Sequence, residues 1–187
     1  RRLQRIIEML EFVASAGAGR LPLRPETLNF RALLDDAAER WSEKVEPLHP
    51  IVRRVGRGLP EVVADPRWVK VSLDELIDNA VKFSPEGGKI AMSVAVADNG
   101  KGPGVEISVV DRGIGMDEEQ QGAAFGEFVQ GDGSDTRSYG GLGLGLNLVQ
   151  RVAEAHGGSV SCESVPGKGS KLSIFLPGAP RKRATRR

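Results

Sequence analysis

Three polar residues of different chemistry follow one line of a predicted helix. Glu75, Asn79 and Lys82 are spaced by four and then three residues in the segment LDELIDNAVKF. At 100° per residue they cluster on one side, opposite the apolar residues of the segment. The simplest interpretation of these three residues is a solvent-exposed helix face. Asparagine is an unfavourable choice for such a face, because its helix propensity is lower than that of glutamine, glutamate or lysine. In a pocket, the amide oxygen and the carboxylate suit a hard divalent cation, and the lysine suits phosphate oxygens.

A second candidate is a carboxylate that stands where an apolar strand gives way to a glycine turn. The run VEISVV ends at Asp111 and continues into RGIGM, in which Gly113 and Gly115 allow the backbone to bend closely around a ligand. A buried aspartate must be paired, and the exocyclic amine of a planar heterocycle is a suitable partner. An ordinary turn aspartate is the alternative interpretation.

The third candidate is the glycine-rich segment YGGLGLGLN, which runs directly into a predicted helix. Its candidate phosphate-contacting residues are Gly140, Gly141, Gly143 and Gly145, whereas the alternating Leu142, Leu144 and Leu146 are interpreted as packing contacts of the closed segment. Glycines leave room for backbone N–H groups around anionic oxygens, and the helix directs its positive end toward them. Arg137 lies upstream and could add a charged contact. This segment would then act as a lid that phosphate orders, and a mobile loop before a helix is the alternative.

Other phosphate-binding motifs do not fit this sequence. A P-loop fails because Cys162 stands where GKGS would require the first glycine. The spacing of GLGLG differs from the GxGxxG of dinucleotide-binding folds. The residues around Asp111 lack the HRD catalytic loop that would support a protein-kinase element.

Helices and strands in a fixed order must position these groups. Helices are predicted from Asn29 to about Trp41, from Pro66 to about Phe83, near 117–122, and from about Leu144 to His156. Strands are predicted at 51–55, 62–64, 90–96, 105–110, 159–164 and 171–176. The order predicts a mixed, largely antiparallel sheet covered by helices on one face.

Composition limits the class of protein. The chain has 187 residues, one cysteine and a formal charge of +1, and the tail RKRATRR carries five basic residues that account for the basic pI. No apolar stretch is long enough to cross a bilayer, and a reducing compartment is expected for Cys162, which is interpreted as a strand filler. The tail is expected to be a solvated, disordered end, and no function is assigned to it.

Five segments in one order resemble the ATP-binding catalytic domain of bacterial two-component sensor histidine kinases. They are LDELIDNAVKFSP, DRGIGM, FGEFVQGD, GGLGLGL and PGKGSKLSIFLP. This domain belongs to the wider superfamily of gyrase, a heat-shock chaperone and mismatch-repair proteins. The resemblance implies a two-layer α/β sandwich, the Bergerat fold, with a flexible ATP lid. It covers residues 27–177, and would make 1–18 the end of a dimerisation and phosphoacceptor hairpin, 19–26 a linker and 178–187 a basic tail.

The resemblance also implies roles for matching residues, with ATP and Mg²⁺ as cofactors. Asn79 would ligate magnesium, Glu75 would be a metal-linked or water-positioning carboxylate, and Lys82 would reach phosphate. Asp111 would accept from the adenine amino group, with Gly113 and Gly115 shaping the base pocket. The remaining implied contacts are Phe125 and Phe128 at the start of the lid, Arg137, the segment Gly141 to Leu146, and Ser170 near adenine.

Three departures from the usual pattern limit the resemblance. Glu75 stands where many of these kinases have asparagine, so a gyrase-like hydrolytic role is conceivable. Leu142 replaces a small hydroxyl residue, and Gly126 with Glu127 replaces a Glu-Pro pair. These last two changes affect the expected detail of the lid.

Neither histidine of the chain stands in the helical context of a phosphoacceptor. His49 lies between prolines and His156 ends a predicted helix, so both are interpreted as structural and the acceptor would lie outside this chain. The resemblance implies a histidine kinase module that acts on its own phosphoacceptor domain within a homodimer and supplies a response-regulator receiver domain, without nucleic acid. The module would be cytoplasmic, with a parent protein anchored in the bacterial inner membrane. Alternatives are an ATP-hydrolysing module of gyrase or chaperone type, an anti-sigma serine kinase, and a binding module without catalysis.

Overall fold

The computed structural model describes residues 23–45, 47–100, 102–126 and 145–179. Several predictions fall outside the described residues. These are the hairpin helix and the first half of the linker, residues 19–22, the tail from residue 180, and the site candidates Phe128, Arg137, Gly141, Leu142, Gly143 and Leu144. They stay predictions, as do the domain boundaries.

Four helices lie in the described residues, and the first three begin directly after a capping residue. They are α1 (Phe30–Val45), α2 (Pro66–Lys82), α3 (Glu118–Ala123) and α4 (Gly145–Ala155). The Asn29 side chain accepts from the N–H of Ala32 at 3.1 Å, and Asp65 caps α2 ahead of its first-turn proline. Asp117 and Gln120 form a reciprocal capping box on α3.

Seven strands accompany the helices in the described ranges. They are β1 (Glu26–Thr27), β2 (Ile51–Val55), β3 (Val63–Ala64), β4 (Ile90–Asp98), β5 (Pro103–Val110), β6 (Ser159–Val165) and β7 (Gly169–Pro177). Five form one sheet in the order β2-β4-β5-β7-β6, in which only β2 and β4 are parallel. The predicted mixed, largely antiparallel sheet is therefore confirmed. β1 was not predicted from the sequence, and it pairs with β3 as a separate two-stranded ribbon.

The core lies between this sheet and the helices on one of its faces. Alternate residues of the three central strands are buried in aligned rows: Met92 with Val109 and Leu172, and Val94 with Ile107 and Ile174. α1, α2 and α4 cover these rows with apolar residues: Leu34, Ala37, Trp41, Leu73, Leu76, Ile77, Val149 and Ala153. Cys162 packs against the same core, as its interpretation as a strand filler predicts. The two-layer α+β sandwich is thus confirmed, and none of the described helices is long and apolar enough to cross a membrane.

A histidine fastens the two helices that border the candidate site. His156 Nδ1 lies 2.8 Å from the Val152 carbonyl and must donate to it, so Nε2 accepts from the N–H of Asp65 at 2.9 Å. The ring therefore joins the end of α4 to the start of α2. This contact gives His156 the structural role that its sequence context predicts.

Candidate functional site

The polar line on α2 is not a solvated face. The side chain of Glu75 is buried and faces α4, whereas Asn79 and Lys82 are half-buried. Asn79 Nδ2 donates to the backbone carbonyl of Glu75 at 3.0 Å. This contact orients the amide, because its nitrogen is engaged within the helix. Within the described part of the chain, the amide oxygen has no hydrogen-bond donor and is available as an acceptor.

Glu75 lies against the first residue of α4. A methyl group at Gly145 would overlap with the Glu75 carboxylate, so glycine permits this close approach. The carboxylate thus lies at the positive end of the α4 dipole, which favours an anion there. The structure consequently brings together Glu75 and Gly145, two residues that the sequence analysis placed in separate motifs.

Lys82 ends α2 with its charge close to an aromatic ring. Its Nζ lies 4.8 Å from the centroid of the Phe83 ring. Burial lowers the pKa of Lys82 below the usual 10.5, and the negative charge of Asp78 opposes that shift. A partly desolvated ammonium gains more from an approaching phosphate than a fully hydrated one would.

Asp111 is held by backbone donors from two directions. Its carboxylate is buried, and Oδ1 accepts from the N–H of Gly113 at 2.8 Å and of Ser170 at 3.1 Å. Burial raises the pKa of Asp111, while these two hydrogen bonds act in the opposite direction. Among the described residues, Oδ2 has no hydrogen-bond partner. One fixed oxygen and one available oxygen suit a ligand that offers a single N–H donor.

Residues 111–116 form a loop after β5, the Asp111 loop, and its glycines allow close contact with neighbouring elements. A methyl group at Gly113 would overlap with the Phe83 carbonyl, which accepts from the N–H of Ile114 at 2.9 Å. Gly115 has φ +69° and lies against the carbonyl of Val165 at the end of β6. The end of α2 and the loop that carries Asp111 are therefore in direct backbone contact. The cation and phosphate candidates and the base candidate consequently border one region of the molecule.

The remaining described candidates, Phe125, Leu146 and Ser170, differ in the contacts they make. Leu146 and Phe125 are partly buried and pack against the core, and the Phe125 carbonyl accepts from Asn147 Nδ2 at 3.3 Å. Ser170 contacts Asp111 through its backbone, while its hydroxyl lies 2.9 Å from that of Ser164. The hydroxyl of Ser170 is thus already engaged within the protein.

Two residues near this site were missed by the sequence analysis. Ser164 lies on the inward-facing row of β6. The side chain of Gln121, on α3, is hydrogen-bonded to the backbone of Ser164. A polar residue at an inward position of an alternating strand is the sequence signal that could have identified Ser164. No periodic sequence pattern identifies Gln121, because its hydrogen-bond partners include residues outside α3.

The donor set fits a magnesium ion that is held mainly through a phosphate ligand. The described part of the chain contains no cluster of three histidine, cysteine, aspartate or glutamate side chains. Magnesium is commonly bound through one or two protein oxygens together with phosphate oxygens and water. The oriented amide oxygen of Asn79 is compatible with such a site.

Comparison with known proteins gives concordant results. Residues 64–180 match the family described as histidine kinase-, DNA gyrase B-, and HSP90-like ATPase. The sensor-like histidine kinase SenX3 of Mycobacterium tuberculosis is 32% identical over 172 residues, which is 92% of this chain and 41% of SenX3. The sensor histidine kinase GacS of Pseudomonas protegens is 35% identical over 177 residues, which is 91% of this chain and 19% of GacS.

A solved structure shares both the fold and part of the sequence. The crystal structure of full-length ShkA in complex with AMPPNP matches with a TM-score of 0.78 and 29% identity, over 98% of this chain and 38% of ShkA. The chain spans about two fifths of SenX3 and about one fifth of GacS. The similarity to these relatives therefore concerns one part of each.

Proposed function

Because the chain belongs to the family of histidine kinase-, DNA gyrase B- and HSP90-like ATPases, we propose that it is the ATP-binding catalytic module of a sensor histidine kinase. The observation that carries this proposal is the Asp111 carboxylate, which is buried and held at one oxygen by two backbone N–H groups. Its other oxygen is available to the adenine amino group. Relatives along most of the chain are sensor kinases, and ShkA was crystallised with an ATP analogue.

In this proposal the residues of α2 serve the triphosphate. The side-chain oxygen of Asn79 would hold magnesium, and Lys82 would contact phosphate oxygens. Magnesium, when bound, would neutralise charge on the phosphates. Gly113 and Gly115 would form the wall of the base pocket, and the glycine-rich segment before α4, including Gly145, would contact the phosphates.

The reaction is transfer of the γ-phosphoryl group to a histidine outside this chain. Such transfer depends on positioning and on electrostatic stabilisation more than on covalent chemistry by the enzyme. We further propose that the acceptor belongs to the parent protein's own helical hairpin within a homodimer. The phosphoryl group would then pass to a receiver domain, and the parent would be anchored in the bacterial inner membrane with this module on the cytoplasmic side.

The position of Glu75 favours phosphoryl transfer over steady hydrolysis. A carboxylate that activates water must be free to accept the proton of that water. Glu75 instead lies against the first residue of α4, at the positive end of that helix. This contact supports a role in holding α4 beside α2.

Two measurements test the proposal. Calorimetric titration of the chain with ATP should show binding that magnesium strengthens. Incubation with radiolabelled ATP and a separately prepared helical hairpin that carries a phosphoacceptor histidine should label the hairpin, and the label should be lost in acid, as phosphohistidine is acid labile. Acid-stable label on a serine would replace this proposal with a serine kinase. Steady ATP hydrolysis without any transfer, lost in Glu75→Ala, would replace it with a hydrolytic module.

A further inference from the structure

A serine occupies an inward-facing position at the end of β6. The inward row of this strand consists of Val160, Cys162 and Ser164, whose cross-strand partners on β7 are Ile174, Leu172 and Ser170. The first two pairs pack against the hydrophobic core. The third pair is polar and lies where the sheet reaches the Asp111 loop. A polar pair at such a position needs defined hydrogen bonds.

The hydroxyl of Ser164 connects three segments of the chain. It accepts from the N–H of Met116 at 2.8 Å, donates to the carbonyl of Gly169 at 2.9 Å, and lies 2.9 Å from the hydroxyl of Ser170. Met116 ends the glycine loop that begins at Asp111, and Gly169 begins β7. One oxygen atom thus fixes the end of the loop to the β6–β7 hairpin.

Gln121 holds the same point from α3. Its Oε1 accepts from the N–H of Ser164 at 3.0 Å, and its Nε2 donates to the carbonyls of Ser164 at 3.0 Å and Met116 at 3.1 Å. The side chain therefore acts as a two-sided bridge to the Ser164 peptide groups. Both ends of the amide are used, so an isosteric carboxylate would lose the donor half of the arrangement.

These contacts continue to the carboxylate of Asp111. Ser170, whose hydroxyl contacts Ser164, donates its N–H to Asp111 Oδ1 and accepts the N–H of Asp111 through its carbonyl at 2.9 Å. The neighbouring Gly169 has φ +93° and lies so close to the Asp111 carbonyl that a methyl group there would overlap with it. The Asp111 loop is consequently fastened at its start by Ser170 and at its end by Ser164 and Gln121.

We propose that Ser164 and Gln121 are positioning residues for base recognition. They hold the Asp111 loop so that the available oxygen of the carboxylate meets the adenine amino group. This inference rests on the proposed ATP-binding function and adds two residues to it. Recognition by one hydrogen bond is sensitive to displacement, because the bond weakens steeply with angle and distance. Loosening this loop should therefore impair base recognition and leave α2, with the phosphate-binding candidates, unchanged.

Two variants with two matched controls test the inference. Gln121→Glu retains an acceptor for the N–H of Ser164 but places a carboxylate oxygen against the three carbonyls that Gln121 Nε2 contacts, those of Met116, Asp117 and Ser164. Ser164→Ala removes the central hydroxyl. Each should weaken ATP binding about three- to tenfold, the loss expected from one displaced hydrogen bond, and should lower the ratio of ATP affinity to GTP affinity. The controls are Glu119→Gln, at an exposed position on α3 outside its capping box, and Ser161→Ala, at an exposed serine of β6, and both should bind ATP as the unaltered chain does.

The readouts separate positioning from a general loss of structure. Thermal unfolding midpoints show whether a variant is destabilised, and a merely structural role would lower ATP and GTP affinity by the same factor. If Ser164→Ala does not fold, Ser164→Thr keeps the hydroxyl and should keep the ATP-to-GTP ratio, whereas Ser164→Val should lose it. The inference would be overturned if the ratio of ATP affinity to GTP affinity were unaltered in both Gln121→Glu and Ser164→Ala. Where Ser164→Ala does not fold, an unaltered ratio in Ser164→Val would overturn it. If the folded, unaltered chain fails to bind ATP, the proposed function itself is wrong.

Discussion

Replacing Asp111 by asparagine changes one atom of the candidate site. In Asp111→Asn, the oxygen of the new amide can still accept from the N–H groups of Gly113 and Ser170, which now contact Asp111 Oδ1. The amide nitrogen then replaces the available Oδ2 and presents a donor to the ligand. The fold should survive, since the side chain keeps its shape and its internal hydrogen bonds.

The expected loss of ATP affinity follows from this change of polarity. A hydrogen bond to a charged group contributes about 1.5–3 kcal/mol, so its loss should weaken ATP binding about 10- to 150-fold. The donor–donor contact between the new amide and the adenine amino group places the effect toward the upper end of that range. The same amide can donate to the O6 acceptor of guanine. GTP affinity should therefore rise while ATP affinity falls, so the ratio of ATP affinity to GTP affinity should fall by a larger factor than ATP affinity alone.

Isothermal titration with ATP and with GTP, at fixed magnesium and pH, measures both quantities. Thermal unfolding without nucleotide provides the control, and its midpoint should change little. Glu163→Gln, an exposed position on β6, serves as a matched carboxylate-to-amide control and should leave ATP binding unchanged. Equal ATP affinity in Asp111→Asn and the unaltered chain would refute the reasoning, because the Asp111 carboxylate would then not contact the base.

Three further predictions concern glycines and pH. Gly167→Ala should lower the free energy of unfolding in urea by about 1–2 kcal/mol, because alanine is strained at positive φ. Gly169→Ala should lower it further, because residue 169 has positive φ and also lies against the Asp111 carbonyl. Equal losses in the two variants would contradict this prediction. Gly145→Ala should be less destabilising in a Glu75→Ala background, with a coupling of about 0.5–3 kcal/mol in a double-mutant cycle, whereas additivity would exclude the contact between the two residues. The pKa of Asp111 is raised above the usual 3.8, so ATP affinity should fall on acidification at a higher pH than an ordinary aspartate would produce. Asp111→Asn gives the titration of the nucleotide phosphates and of all other protein groups, and identical pH profiles for the two proteins would refute this prediction.

Local patterns predicted most of the elements. The caps Asn29, Asp65 and Asp117 act within four residues of themselves, so the sequence next to them is sufficient to place the helix starts. The alternation in β4 and β5 likewise predicts which of their residues face the core. The parallel pairing of β2 with β4 and the short β1–β3 ribbon were not predicted, because a two- or five-residue strand carries little periodic signal and its partner is remote in sequence.

The candidate site was predictable where its chemistry was local. Asn79, Lys82 and Asp111 stood out because polar residues occupied ordered positions beside apolar ones. Ser164 and Gln121 did not stand out, because their significance arises from hydrogen bonds to segments 43 to 48 residues away in the chain. Tertiary contacts of this kind have no periodicity for a sequence pattern to reveal.

The glycines of the Asp111 loop explain why the two halves of the site keep a defined relation. Gly113 allows the loop to contact the carbonyl at the end of α2, and Gly115 allows it to contact the end of β6. A side chain at either position would separate the loop from one of these elements by the width of a methyl group, which exceeds the tolerance of a hydrogen bond. The end of α2 bears Lys82, and the end of β6 bears Ser164, which is linked through Ser170 to Asp111. Close backbone contact on both sides therefore sets the spacing between the proposed phosphate contact and the proposed base contact, and a ligand that combines a purine with a polyphosphate requires such a fixed spacing.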